Sequence, residues 1–125
     1  MASTPPDPPA AGSVTAAISN AAVRIMSEFT GRGPTQAHTS IRDDVVLVVM
    51  RETLTNGERT LLANGEGDFV LKMRERFQLM MREAFIDAIE MIVQREVIAF
   101  MCADHLEPDM AVEIFVLEPR AEQSY

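Results

Sequence analysis

From Asp68 to Arg95 apolar residues recur at three- and four-residue intervals: Phe69, Val70, Met73, Phe77, Met80, Met81, Ala84, Phe85, Ala88, Ile89, Ile92 and Val93. That spacing gathers side chains onto one face of an α-helix, and no Gly or Pro interrupts it. The pattern predicts a long amphipathic helix of roughly 28 residues, about 42 Å in length, with an apolar stripe wider than a coiled-coil seam. Lys72, Arg74, Glu75, Arg76, Arg82, Glu83, Asp87 and Glu90 fill the gaps, and the charge run of Arg74, Glu75, Arg76, Arg82 and Glu83 is expected on a solvated face. Asp68 is expected to cap the helix, its negative charge at the positive end of the helix dipole.

The flanking segments supply candidates to cover that stripe. Val14, Ile18, Ala21, Ala22, Ile25, Met26 and Phe29 have helical spacing, with Ser13 as the expected N-cap. This first helix is expected to stop at Thr30-Gly31-Arg32-Gly33-Pro34, because glycine adopts conformations other residues resist and Pro34 cannot continue a helix. Residues 36–43 alternate Ala37, Thr39 and Ile41 against His38, Ser40 and Arg42, the period of a strand with one wet face. VVLVVM, residues 45–50, is apolar on both faces and reads as an inner strand closed by Leu54. Asp43 and Asp44 form the expected corner between the two strands.

Thr55 and Glu58 have the spacing of a capping box, which predicts a short helix over residues 57–63. Residues 97–103 and 110–117 read as a second hairpin around the loop Asp104–Asp109. The expected architecture is therefore α+β: a four-stranded, mainly antiparallel sheet from two hairpins, packed against one long central helix, an N-terminal helix and a short helix. A single domain is expected over residues 13–118, between a Pro-rich disordered tail (1–12) and a loose C-terminal tail (119–125). Because the long helix exceeds what a small domain needs, its far end or the uncovered sheet surface is expected to form a homodimer contact.

Charge and composition narrow the function. A formal net charge of -8, from 19 acids and 11 bases, argues against nucleic acid, since neutralising phosphates requires a basic face. No apolar run approaches the roughly 18 residues of a membrane span, so direct membrane insertion is not expected. Cys102 is the only cysteine, which rules out an intrachain disulfide, and the segment after Met1 lacks a signal-peptide pattern. A cytoplasmic location follows as the expectation. Within the apolar run VIAFMCA, Cys102 reads as a buried structural thiol.

Candidate chemistry is sparse. Asp104, His105, Glu107 and Asp109 lie within six residues, but one His without Cys does not make a zinc set, and a calcium loop would need a central Gly. The expected reading is a solvated hairpin loop and no metal. Gly31, Arg32 and Gly33 offer a possible anion pocket of backbone N–H groups and a guanidinium, although the turn follows a helix and lacks the ending of a P-loop. The alternative function drawn from it is a ligand-responsive domain binding a small anion or metabolite. Arg74, Arg76, Met80 and Met81 are the candidate interaction surface, Met being suited to adaptable contacts. No catalytic set and no cofactor are expected. An enzyme would need His38 or His105 to meet Asp43, Asp44 or Cys102 in a cleft.

FTGRGP (29–34), IRDDVVLVVMRETLTNGE (41–58), RERF (74–77) and IFVLE (114–118) occur in an order that resembles the MpsC family, named after a component of a Na+-translocating, membrane-potential-generating system. The resemblance spans about residues 13–118. It implies an accessory or regulatory role beside an ion-translocating membrane subunit and brings no catalytic residues with it. The family pattern usually has Gly between the long helix and the third strand, where this chain has Gln94.

Overall fold

The computed structural model describes residues 11–120. In chain order these form α1 (Ala11–Thr30), β1 (Gln36–Arg42), β2 (Val45–Arg51), α2 (Asn56–Ala63), α3 (Gly67–Val93), β3 (Val97–His105) and β4 (Met110–Leu117). The strands make one antiparallel sheet in the order β1-β2-β4-β3. This is the α+β arrangement the hydrophobic pattern predicts. Residues 1–10 and 121–125, to which most of the two expected tails belong, lie outside the described residues.

Element boundaries depart from expectation where local chemistry overrides pattern. Helix α1 starts at Ala11, ahead of the expected cap Ser13. Strand β2 ends at Arg51 and not Leu54, because Glu52 takes a left-handed conformation (φ 57°) and leaves the ladder. Asp43 is also left-handed (φ 54°) and makes the corner between Arg42 and Val45, which are paired. At α2 the capping box is complete: Thr55 Oγ1 accepts from Glu58 N at 3.2 Å while Glu58 Oε1 accepts from Thr55 N at 2.9 Å. Asp68 is not the cap of α3. Glu66 occupies that position without a side-chain bond, and Asp68 contributes only first-turn charge.

The core lies between the helices and one sheet face. Ile18, Ala22, Ile25 and Met26 of α1 and Met81, Phe85 and Ile89 of α3 pack over Val46, Val48, Met50, Ala111, Phe115 and Leu117. In β2 and β4 burial alternates strictly, so one face of the sheet meets helices while the other does not. Polar ties bind the two hairpins. Asp109, in the β3–β4 loop, accepts from Thr53 N, Thr53 Oγ1 and Leu54 N at 2.9–3.0 Å, and Arg95 donates to Asp44 Oδ1 at 2.6 Å.

Candidate functional site

The buried stripe of α3 is Val70, Arg74, Gln78, Met81, Phe85 and Ile89. Its spacing is helical throughout, and two of its six positions are polar. Arg74 is only 2% exposed. Its Nε donates to Glu58 Oε2 at 2.8 Å, while Nη2 donates to Glu58 Oε1 at 2.7 Å and to the Thr53 carbonyl at 2.6 Å. A bidentate guanidinium–carboxylate pair is the geometry in which a buried charge is best compensated. Glu58 thus closes the capping box of α2 and anchors α2 to α3. Of the four residues expected to form an interaction surface, Arg74 and Met81 are core residues, whereas Arg76 and Met80 are exposed. The correction has a simple cause: both lie on the helical row that runs from Val70 to Ile89.

Beyond Arg74 the polar stripe continues toward the sheet. Gln78 Nε2 donates to Asp104 Oδ2 at 3.2 Å, and Arg74 Nη1 lies 3.8 Å from Asp104 Oδ1. Glu113, on the helix-facing side of β4, is fully buried, and neither carboxylate oxygen finds a well-formed hydrogen-bond partner among the described residues. Burial pushes its carboxyl up to about 8, with the Asp104 carboxylate adding to the rise and Gln78 opposing it. Gln78 is near enough to favour the charged form without making a bond of good geometry. Burial also raises Asp104, against the pull of Gln78 and Arg74. At neutral pH Glu113 is mainly a protonated acid inside the core.

A groove of about 600 Å³ opens beside this cluster, between α3 and β3. Leu71, Glu75, Gln78, Leu79 and Arg82 form its helical wall, and Phe100, Cys102, Ala103 and Asp104 its strand wall. Arg82 stands over the Phe100 ring at 5.4 Å, within cation–π range. Cys102, expected to be buried, is exposed here, because β3 is an edge strand with no further strand beyond it among the described residues. Partial burial and the Glu113 and Asp104 carboxylates nevertheless push its thiol up to about 11, with Arg82 opposing. The side chain stays a thiol at neutral pH and is a weak nucleophile.

The opposite sheet face carries the alternate residues of every strand. Val45, Leu47 and Val49 of β2 lie beside Val116, Ile114 and Val112 of β4, which in turn pair with Ala99, Met101 and Ala103 of β3. None of these nine is fully buried, and Met101 is 50% exposed. His38 and Ser40 of β1, opposite Val49 and Leu47, form its polar margin. A contiguous apolar surface of this kind, rimmed by polar residues, is characteristic of a contact site.

The remaining candidate residues are held apart. Arg32 Nε donates to the Glu52 carbonyl at 3.1 Å. Gly31 has φ +82°, and a Cβ at Gly33 would meet Val23 Cγ1 at 3.2 Å, so both glycines have conformational or packing roles in the turn. In the β3–β4 segment Asp104 and Asp109 are engaged with the protein interior and not solvated as expected. His105 Nδ1 lies 2.8 Å from the Pro108 carbonyl oxygen. His38 is on the other outer strand, and Asp44 is paired with Arg95. The buried polar residues escape a reading based on hydrophobicity, yet two signals mark them. Arg74 and Gln78 continue the four-residue row from Val70, and Glu113 shares the parity of Ala111, Phe115 and Leu117.

Residues 10–119 match the family described as Na+-translocating membrane potential-generating system (MpsC). The chain belongs to the MpsC family. Nearly all of the MpsC match falls on the described elements, α1 to β4, including the glycine turn, the Arg74–Glu58 pair and the open sheet face. Membership supports a component of that Na+-translocating system. No curated protein and no solved structure matches the chain. No helix among the described residues is long and apolar enough to cross a membrane.

Proposed function

We propose that this MpsC-family protein is a non-enzymatic accessory or regulatory component, held at a Na+-translocating system by docking its open sheet face on an ion-translocating partner subunit. The observation that carries the reading is that face: nine apolar positions on β2, β4 and β3, uncharged and covered by no described helix, in a chain of net charge -8. The family's description as a Na+-translocating membrane potential-generating system is what favours that class of partner. The polar core supports the same reading, because Arg74 is committed to Glu58 and Thr53, and Cys102 is held as a thiol. The protein acts from the cytoplasmic side, and its attachment to the membrane is through the partner.

The test is a pull-down of the tagged protein from native membranes solubilised in mild detergent. Recovery of an ion-transport subunit, lost on Ile114→Glu with the fold intact by circular dichroism, is the expected result. Repeated recovery of no transport subunit, or recovery indifferent to Ile114→Glu, would overturn the proposal.

A further inference from the structure

The two edges of the sheet are built differently. On β1 Gln36, His38, Ser40 and Arg42 place polar or charged side chains along the strand, and α1 packs on it. On β3 the segment Val97–Ala103 contains neither charge nor proline, and among the described residues the outer backbone edge has no partner. Proteins ordinarily protect such an edge with charge, proline or a covering segment. The register shift between Val97 and Ala99 lies at one end of β3 and leaves the stretch from Ala99 to His105 regularly paired. Beside the free edge runs the α3–β3 groove, where Leu79 is 72% exposed.

We infer that β3 and the adjoining face of α3 form a two-fold interface with a second copy of this chain, joining two four-stranded sheets edge to edge. Charge complementarity identifies the occupant. Glu75 and Arg82 are two helical turns apart on the groove wall, with Leu79 between them. A two-fold axis reverses the helix direction, so it sets Glu75 of one copy against Arg82 of the other, twice, and Leu79 against its equivalent. The strand wall opposite those residues is centred near Cys102, so the same axis brings β3 antiparallel to its own copy, the self-complementary arrangement a two-fold interface requires. A nine-residue strand is roughly 30 Å long, and a band of that length covering both layers buries roughly 1,000 Å² in total, at the threshold for a specific interface. Strand pairing adds backbone hydrogen bonds to that area.

Cys102, the only cysteine in the chain, lies close to the proposed axis and reports on it without introduced labels. The experiment combines light scattering at micromolar concentration with cross-linking of Cys102 by a short bis-maleimide. The expected result is a dimer mass and a cross-linked dimer. Glu75→Arg weakens the dimer by a factor on the order of ten, as does Arg82→Glu, and the double exchange restores it. Glu75, Arg82 and Cys102 are all exposed, so circular dichroism should be unchanged. A monomer mass overturns the inference. So does a dimer that resists cross-linking and ignores the charge exchanges, since it must then use another surface such as the open sheet face. The membrane pull-down is independent of these outcomes.

Discussion

Arg74 is buried against a carboxylate it holds with two hydrogen bonds, whereas Glu113 is buried without a counter-ion. Their responses to substitution should differ accordingly. Arg74→Ala leaves Glu58 charged and unpaired in the interior, a loss of about 3–5 kcal/mol, measurable as a shift in the urea midpoint. Arg74→Lys cannot restore the forked geometry and should recover only part of it. For Glu113 the folded-state value of about 8 stands above the ordinary 4.5. Between those values the folded chain keeps a proton that the unfolded chain releases, so stability falls as pH rises through this window and levels off above it. At about 1.4 kcal/mol per unit the effect is bounded at roughly 5 kcal/mol. Glu113→Gln should therefore raise the Tm at pH 8.5 and leave it nearly unchanged at pH 4.5. Asp104, also raised, keeps some of the slope with the same sign. Equal Tm changes at the two pH values would contradict this account.

At the scale of elements, α3 ends on a residue that is poorly suited to its backbone. Gln94 is left-handed (φ 57°, ψ 40°), its N–H bonds Glu90 O, and its side chain bonds Met91 O at 2.6 Å. Glycine is the residue that adopts this conformation without strain. Relief of the left-handed penalty, about 1–2 kcal/mol, less glycine's entropic cost of roughly 0.5–1 kcal/mol, leads us to expect Gln94→Gly to be stabilising, seen as a higher Tm with an unchanged spectrum. The elements themselves were legible in the sequence, because period and punctuation reinforce one another: a run without Gly or Pro for α3, Thr55 and Glu58 for α2, alternation for β1. The site was less legible. Hydrophobicity assigns Arg74 to the solvated side, and only its place on the Val70–Ile89 row assigns it to the interior. Asp104 and Asp109 carry no local sign of burial, since their partners Gln78, Thr53 and Leu54 are 26 to 56 residues away. Cys102 fails for the converse reason: an apolar run does not reveal whether its strand is central or at an edge.

For the whole molecule, one sheet face is saturated by helices and the other is left open, while a formal charge of -8 keeps molecules apart. Screening that repulsion should expose the open face. Raising salt to molar levels is expected to promote self-association of the wild type beyond the proposed two-copy state, and Ile114→Glu should suppress that association, as followed by light scattering. The unlike edges of the sheet set a further limit. An edge with β3 at both ends would let copies add without end, as in a fibre. Here each addition consumes a β3 edge and presents only a β1 edge beneath α1. In the proposed dimer, growth through the edges accordingly terminates after a single step, and its eight-stranded sheet has no further β3 edge on which a third copy could start.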